Sequence, residues 1–344
     1  MPVEILPIHT PALFEAAVFR ACAALKAGEV VALPTETVYG LAANAYDAHA
    51  VAKIFEIKGR PASNPLIVHV ADGNGAIQCA REWPEIATRL AARFWPGPLT
   101  LVVPRSDRIP DIVTAGGDTV GVRWPFHPLM QAVIRACGFP LAAPSANLSN
   151  QLSPTSAAHV ASGLRGRIRL IVDGGDCNVG IESTVVDVTG AAPRVLRPGI
   201  IGADEIESVA RVPLLERSSV AGAVLRSPGM LERHYCPRAR LIVRSWRDDA
   251  ELDRLVASES ISPEGLWILA HRSLPMSGRY PNAIMIPSEP EAYARAMYGE
   301  LHRCDEAGAR CILVEAVPEG AAWDGIADRL GRAAAGGSVS VGKA

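Results

Sequence analysis

Two short segments near the start of the chain carry side chains that suit an anionic ligand. The apolar run 30–33 delivers hydroxyl, carboxylate and phenol groups to its end, at Thr35, Glu36, Thr37 and Tyr39. Open α/β sheets place ligands at the ends of buried strands. Further along, Lys58 and Arg60 share a turn built on glycine and proline, with Asn64 close behind. Such paired cations suit a nucleotide phosphate, and a solvated helix end is the alternative reading.

Three further charged or titratable side chains interrupt apolar segments. Arg123 ends the otherwise apolar segment 119–122, so a buried guanidinium there needs an anion, either a bound carboxylate or a structural Asp or Glu. His69 stands within the apolar run 66–70, where a histidine is usually a satisfied core residue. Arg197 ends another strand candidate and is either a nucleotide contact or a surface arginine.

Small polar side chains follow other strand candidates. Ser145 and Asn147 come after the apolar segment 141–143 and a proline. A turn with exposed N–H groups there would bind an anion, and a plain Asx or serine turn is the alternative. Ser153 precedes a predicted helix and could simply cap it, while Ser183 lies at the start of a strand candidate.

Composition favours a soluble two-domain enzyme. The chain has 344 residues, 49% of them hydrophobic and 20% charged, with a formal net charge of −2. That balance argues against binding nucleic acid by bulk electrostatics. An odd number of cysteines without a C-x-x-C pair is typical of reduced thiols in the cytoplasm, and no Cys/His spacing predicts a metal site. Neither a signal peptide nor a membrane span is expected, so we predict a cytoplasmic protein.

Alternating strand and helix patterns predict an α/β fold with one large twisted mixed sheet. The strand candidates of this sheet are 30–33, 66–70, 99–103, 120–123, 141–143, 170–172, 185–188 and 195–197. Helices are predicted near 11–26, 48–57, 84–94, 128–137, 155–164 and 203–211. Asp47 and Thr155 are the predicted N-caps of two of these helices.

A change of pattern predicts two domains. Residues 1–212 form the catalytic domain, and 213–240 lose periodicity and gather Ser, Gly, Pro and Arg, as a linker does. In 241–344, strand candidates again alternate with helical stretches, which predicts a small Rossmann-like α/β domain without a G-x-G-x-x-G motif.

These segments together resemble the YrdC-type threonylcarbamoyl-AMP synthases, in the long form with an extra C-terminal domain. Besides 33–41 and 58–66, the matching stretches are 95–100 (WPGPLT), 119–125 (TVGVRWP), 143–147 (APSAN), 181–187 (IESTVVD), 196–199 (LRPG), 227–230 (SPGM) and the pair His234-Tyr235. Beyond residue 240 only length and pattern match. The resemblance implies a YrdC-like core that converts L-threonine, bicarbonate and ATP into threonylcarbamoyl-AMP and pyrophosphate.

The resemblance also implies residue roles. Lys58, Arg60 and Tyr235 would act in catalysis. The residues it implies for ATP are Arg60, Asn64, Thr119, Ser145, Asn147, Ser153, Arg197 and Tyr235. Those it implies for threonine are Thr35, Thr37, His69, Arg123, Ala143 and Ser183. Mg²⁺ would arrive with ATP rather than occupy a protein cage, and Glu36 would orient Lys58 or Arg60 or help to place that ion.

The linker is expected to take part in the reaction. Residues 227–235 are too specific for an inert tether, and a carbamoyl-adenylate hydrolyses readily in water. We therefore predict that the linker folds over the pocket as a lid, with Tyr235 near the phosphates. The resemblance further implies a partner protein that transfers the threonylcarbamoyl group to an adenosine of tRNA.

Two other functions compete with this one. The hydrogenase-maturation carbamoyltransferases resemble the same core but add Cys-rich modules that this sequence lacks. A non-catalytic RNA-binding module would use Lys53, Lys58, Arg60 and Arg123 on a phosphate backbone, and weak RNA binding stays open. The near-neutral charge and the lack of aromatic pairs for base stacking argue against that module.

Overall fold

The computed structural model describes residues 3–215, 234–276 and 278–335. The chain divides into two compact units, the first formed by Met1–Ser149 with Ser153–Met230 and the second by Asn150–Leu152 with Leu231–Ala344. A short segment within the first two thirds of the chain therefore belongs to the second unit, which the sequence did not predict. Most of the predicted linker, 216–233, lies outside the described residues.

The described part of the first unit contains ten strands and eight helices. The strands are β1 (Glu4–Pro7), β2 (Val31–Leu33), β3 (Gly40–Asn44), β4 (Ile67–His69), β5 (Leu99–Pro104), β6 (Thr119–Arg123), β7 (Leu141–Ala142), β8 (Leu170–Asp173), β9 (Thr184–Asp187) and β10 (Arg194–Arg197). The helices are α1 (Pro11–Lys26), α2 (Ala48–Lys58), α3 (Gly73–Cys79), α4 (Glu85–Phe94), α5 (Asp111–Thr114), α6 (Pro128–Cys137), α7 (Ala157–Gly163) and α8 (Ala203–Ala210).

All ten strands form one mixed sheet in the order β1-β8-β2-β3-β7-β4-β6-β5-β9-β10. The sheet contains both parallel pairs, such as β4 with β6, and antiparallel pairs, such as β4 with β7. Side chains of α1 and α6 pack in a hydrophobic cluster on one face of the sheet, and α2, α4 and α8 contribute to the cluster on the other face. The predicted α/β class with a large mixed sheet is confirmed.

Local sequence signals explain where the helix that carries Lys58 begins and ends. Asp47 caps α2, because its Oδ1 accepts hydrogen bonds from the N–H groups of His49 (2.9 Å) and Ala50 (3.2 Å). The helix ends at Gly59, whose φ of 58° is left-handed and therefore favours glycine. Lys58 is thus the last helical residue, and the Asp47 cap is confirmed.

The sequence missed two strands and misplaced one cap. β1 is an edge strand that ends in Pro7, and β3 is made of Gly, Leu, Ala and Asn, so neither has the composition of a strand. Tertiary pairing with β2 and β7 makes β3 a strand. The prediction that Thr155 caps α7 was wrong, because Ser156 is the N-cap and its side chain accepts a hydrogen bond from His159 N.

The second unit contains a four-stranded parallel sheet in the order β11-β14-β12-β13. Its strands are β11 (Arg240–Arg244), β12 (Leu266–Ala270), β13 (Ala283–Met285) and β14 (Cys311–Glu315), and its helices are α9 (Asp249–Ser258), α10 (Pro290–Glu306) and α11 (Asp324–Ala334). The predicted Rossmann-like architecture is confirmed. Over the described ranges of both units, no helix has the length and apolar character that crossing a membrane requires.

Candidate active site

Two of the predicted threonine-binding residues, His69 and Arg123, lie on one face of the large sheet. His69 on β4 is paired with Arg123 on β6 and with Leu141 on β7. Paired residues point to the same face, and Leu141 lies in the cluster under α1 and α6. The alternation of side chains puts Thr100 of β5 on this face as well. Gly121 leaves room between these strands, since a Cβ there would lie 3.2 Å from the Thr100 side chain.

The loop between β2 and β3 is held by the hydroxyl of Thr35. Its Oγ1 accepts hydrogen bonds from the N–H groups of Thr37 (3.1 Å) and Val38 (3.2 Å), and it donates to the Val38 carbonyl at 2.6 Å. The same oxygen lies 2.9 Å from the Thr37 hydroxyl. Thr35 therefore shapes the turn, and Thr37 is the hydroxyl that this turn presents.

Arg123 is the centre of the polar group on this face. Its Nη1 donates to Thr37 Oγ1 at 2.9 Å, and its Nε donates to the Gly97 carbonyl at 3.3 Å. Its Nη2 lies 2.8 Å from Glu36 Oε1, and both side chains are buried. The expectation that Glu36 orients Lys58 or Arg60 is corrected here, because the ion-pair partner of this carboxylate is Arg123.

The Glu36–Arg123 pair is close but incompletely hydrogen-bonded. Although Nη2 and Oε1 are at ion-pair distance, neither carboxylate oxygen of Glu36 nor Nη2 of Arg123 has a hydrogen bond of good geometry with any described residue. The two charges therefore attract each other, but their relative orientation does not form a hydrogen bond. Buried polar atoms in this condition are costly unless a ligand completes them.

His69 is neutral in this environment. Burial and the nearby positive charge of Arg123 lower the pKa of His69 to about 3. Its Nδ1 is buried and has no hydrogen-bond partner among the described residues. The alternative of a fully satisfied core histidine is therefore not what the structure shows.

Ser183 joins the threonine-side residues to Arg197. Its Oγ lies 2.8 Å from Thr100 Oγ1, and its carbonyl accepts hydrogen bonds from Nε (3.1 Å) and Nη2 (3.0 Å) of Arg197. Arg197 is buried, which excludes the surface alternative. Gly199 is required by packing, because a Cβ there would lie 2.5 Å from the backbone nitrogen of Thr184.

Lys58 is buried at the end of α2 rather than solvated. Its Nζ donates to the carbonyls of Ser145 and Asn147, both at 2.5 Å. Burial, reinforced by the charge of Arg60, lowers the pKa of Lys58 well below its usual range, and the carboxylate of Glu182 opposes that shift. The Nζ atom of Lys58 thus ties the predicted anion-binding turn to the Lys-Gly-Arg motif.

Arg60 is held by its own turn. Its Nε donates to the Asn64 carbonyl at 3.0 Å, and its Nη2 donates to Asn64 Oδ1 (2.6 Å) and to the Pro65 carbonyl (2.7 Å). The guanidinium is buried, so it is fixed in direction before any ligand binds. Asn64 therefore positions Arg60.

The remaining predicted residues lie around these groups. Ser153 donates a short hydrogen bond to the Glu182 carboxylate instead of capping a helix. Glu182 also favours the charged form of Lys58, and it directly precedes Ser183, whose carbonyl binds Arg197. It therefore links the residues around Lys58 with those around Arg197. Ala143 donates its N–H to the Ile67 carbonyl, and Thr119 begins β6 at the opposite end from Arg123.

Tyr235 is described within the second unit. It is buried there, and the predicted lid segment 227–233 lies outside the described residues. Its predicted role at the phosphates stays a prediction.

One residue of this region was given no role from the sequence. Thr100, the last residue of the WPGPLT stretch, bonds Ser183, and its isolated hydroxyl within a buried strand was the available signal. Tyr39, whose phenol the sequence placed at the end of a strand, donates its hydroxyl to the Gly175 carbonyl at 2.7 Å and accepts from Gly174 N at 3.1 Å. These bonds make Tyr39 a structural tie rather than a ligand contact.

The chain combines a mixed sheet, which carries buried arginines and hydroxyls on one face, with a small parallel α/β unit. Both units match families of known proteins. Residues 23–199 match the Sua5/YciO/YrdC family, which carries the description "Telomere recombination", and residues 201–335 match the threonylcarbamoyl-AMP synthase C-terminal domain. The chain therefore belongs to the Sua5/YciO/YrdC family, in its form with this C-terminal domain.

Named relatives agree with that assignment. The chain is 42% identical over 318 residues to the threonylcarbamoyl-AMP synthase of Pyrococcus abyssi, covering 90% of this chain and 91% of the relative. It is 41% identical over 321 residues to that of Bacillus subtilis, covering 92% of each. A solved structure of P. abyssi Sua5 complexed with L-threonine is similar with a TM-score of 0.87 and 39% identity, covering 98% of both chains.

Another solved structure carries substitutions at two adjacent positions. A form of P. abyssi Sua5 with the changes H234A and Y235A is similar to this chain with a TM-score of 0.86 and 39% identity, covering 97% of both chains. This chain has His and Tyr at those numbers. Escherichia coli YciO shares the fold at a TM-score of 0.54 and 22% identity, covering 59% of this chain.

Proposed function

We propose that this chain is a threonylcarbamoyl-AMP synthase, which joins L-threonine, bicarbonate and ATP and releases pyrophosphate. Relatives that cover nine-tenths of the chain carry that name, and one of them was solved with L-threonine. The observation that carries the proposal is Arg123, a buried guanidinium that contacts Thr37 and Glu36 and retains an unsatisfied Nη2. A bound carboxylate would complete that group.

The threonine substrate is assigned to the face that carries Arg123. Arg123 would hold its carboxylate, and the hydroxyls of Thr37 and Ser183 would supply further hydrogen bonds. Because His69 is neutral, it could accept or donate a hydrogen bond without repelling the nearby guanidinium. Thr35 would act by holding the turn, and Ala143 would form part of the wall.

ATP is assigned to the group that surrounds Lys58. Arg60 and Arg197 are fixed in direction by bonds to carbonyls, so they would lose little freedom on binding phosphates. Lys58 would recover its positive charge next to a triphosphate, since an anion favours the protonated form. The other residues proposed on this side are Asn64, Thr119, Ser145, Asn147, Ser153 and Tyr235.

The chemistry needs positioning and positive charge more than covalent help. In the proposed reaction the threonine amine and bicarbonate form a carbamate with loss of water, and the carbamate oxygen attacks the α-phosphorus while the bond to pyrophosphate breaks. Buried cations aligned along the phosphates stabilise the charge that develops on the leaving group. Lys58, Arg60 and Arg197 are the cations proposed for that task.

Mg²⁺ is proposed to enter with ATP as part of the substrate. In the described ranges, no group of three or more His, Cys, Asp or Glu side chains is arranged to hold a metal ion. Of the two buried carboxylates of the site, Glu36 lies at ion-pair distance from Arg123 and Glu182 accepts a hydrogen bond from Ser153. Mg²⁺ would be held mainly by ATP and by water, and it would offset the negative charge of the phosphates.

The product would serve tRNA modification. A threonylcarbamoyl-adenylate is a mixed anhydride that must be transferred before water reaches it. We assign its use to a cytoplasmic partner protein that transfers the threonylcarbamoyl group to an adenosine of tRNA.

The test is threonine-dependent release of pyrophosphate by the purified protein with ATP and bicarbonate. Mass spectrometry of the product should give threonylcarbamoyl-AMP. Pyrophosphate release that is independent of threonine, or no release together with salt-sensitive RNA binding, would contradict the proposal and favour the RNA-binding alternative.

A further inference from the structure

Tyr235 is held in an unusual backbone conformation within the second unit. Its φ is 64°, a left-handed value that is rare for a bulky residue and that surrounding contacts must enforce. The ring is buried and packs edge-on against His234, with ring centroids 3.9 Å apart, and it also faces the Tyr298 ring at 6.0 Å. The second unit therefore fixes both the backbone and the ring of Tyr235.

Arg329 of α11 supports the same ring. Its guanidinium carbon lies 5.4 Å from the centroid of the Tyr235 ring, which is a cation–π distance. The side chain is fully buried, and its Nη1 contacts the Gly325 carbonyl (3.4 Å) and Asp328 Oδ2 (3.3 Å) of its own helix. Arginine is almost never fully buried unless it is paired, and Asp328 supplies the opposite charge here.

The residue after Tyr235 holds a second segment. Cys236 N donates to the Asn150 carbonyl at 2.8 Å, and Cys236 forms an isolated parallel bridge with Gln151. Asn150 also has a left-handed φ, of 67°. Along the chain, this segment joins Asn147 to Ser153, two residues that we assign to ATP. The residue next to Tyr235 therefore holds the middle of the loop 147–153, whose two ends are proposed to contact ATP.

We propose that Arg329 is a positioning residue for ATP binding, acting through the Tyr235 ring and the Cys236–Asn150 bond. This inference rests on the proposed function, and it gives the second unit a task. In this proposal the second unit holds its own segment Asn150–Leu152, and the chain connections on either side of that segment pass the constraint to Asn147 and Ser153.

The test varies ATP in the pyrophosphate assay of the full-length protein. Arg329→Met removes the cation but keeps most of the volume, so it should raise the KM for ATP about fivefold and leave the KM for threonine within about twofold. Arg329→Lys keeps the cation and should stay nearer to the unsubstituted protein. If Arg329 acts through the ring, Arg329→Met should add nothing in a Tyr235→Ala background.

Leu252→Ala is the matched control for lost stability. Leu252 is a fully buried residue of α9 that packs in a cluster apart from Tyr235. It should lower Tm without changing the KM for ATP. The inference is overturned if Leu252→Ala raises that KM as much as Arg329→Met does, if Arg329→Met has no effect, or if its effect persists without Tyr235.

Asn150 supplies a second test that spares the core of α11. Asn150→Val disfavours the left-handed conformation and should raise the KM for ATP about fivefold, whereas Asn150→Gly allows it and should not. Equal effects of the two variants would overturn the inference. Calorimetric titration measures ATP binding by the same variants without turnover. If the proposed function is wrong, the assay shows no threonine-dependent release of pyrophosphate. If only this inference is wrong, the titration shows the same ATP affinity for the variants and the unsubstituted protein.

Discussion

Each unit contains a deeply buried glutamate beside an arginine, and the two glutamates differ in how well they are hydrogen-bonded. Glu315 ends β14 in the second unit, and its carboxylate accepts from the N–H groups of His271 (2.8 Å) and Arg272 (3.1 Å) and from the Arg272 side chain. Glu36 in the first unit has the close charge of Arg123 but no hydrogen bond with any described residue.

This difference is the one expected between a structural ion pair and the proposed binding site. The carboxylate of Glu315 joins the ends of β12 and β14, and its bonds repay its desolvation within the protein. The Glu36–Arg123 pair leaves polar atoms unsatisfied at the place where the family's substrate chemistry is expected. Substitutions at Glu315 should therefore change stability, and those at Glu36 and Arg123 should change catalysis.

Arg123→Lys should have the largest effect. A lysine cannot reproduce the three directions in which Arg123 meets Thr37, Gly97 and Glu36, so we expect kcat/KM for threonine to fall about 100-fold or more. Steady-state kinetics with threonine varied measures this loss, and circular dichroism checks the fold. A loss below about fivefold would mean that Arg123 is only a structural ion-pair partner.

Glu315→Gln should chiefly lower stability. An amide cannot accept from two backbone N–H groups and a guanidinium at once, so we expect the free energy of unfolding of the second unit to fall by about 2–3 kcal/mol. Urea denaturation measures the change, and the KM values for ATP and threonine below the transition should stay near those of the unsubstituted protein. A large change in the KM for threonine without loss of stability would break the comparison.

Glu36→Gln should chiefly weaken threonine binding and should change stability less than Glu315→Gln does. The amide keeps the volume but removes the charge that orients Arg123, so we expect the KM for threonine to rise about tenfold with a loss of stability of only about 1 kcal/mol. Kinetics and thermal unfolding of the same preparation give both values. If stability falls as far as in Glu315→Gln while the KM is unchanged, Glu36 is structural.

The smallest expected effect is a pH dependence of the KM for ATP that is caused by Lys58. Because burial lowers its pKa, Lys58 loses its proton as the pH rises, at a pH below the usual lysine value of roughly 10.4. The KM for ATP should therefore rise a few-fold toward high pH. Lys58→Arg carries a charge that does not titrate, so its pH profile should be flatter, and an equally steep profile in that variant would exclude Lys58 as the cause.

Much of the fold could be predicted because its strands and helices have strong local signals. The helix 11–26 is observed as α1 (Pro11–Lys26), with the bounds that its pattern predicts. β3 could not be predicted, since Gly40–Asn44 becomes a strand only through pairing with β2 and β7. The assignment of Asn150–Leu152 to the second unit likewise depends on contacts with residues far along the chain.

The candidate site shows the same limit. Motif spacing identified Arg123 and Glu36 as candidate site residues, but it did not show that they pair with each other. The partner of a charged residue depends on the register of β4 and β6 and on the shape of the loop after β2. The burial of Lys58 was also unpredictable, because a lysine at a helix end is usually solvated.

The excursion of the chain at Asn150–Leu152 has a consequence for dissecting the protein. Removing everything after residue 215 would take away Cys236 and leave the Asn150 carbonyl without its N–H donor. We then expect a truncated fragment to bind ATP more weakly for a reason unrelated to its chemistry. Engineering of a minimal enzyme would have to redesign that three-residue segment as well as choose where to cut.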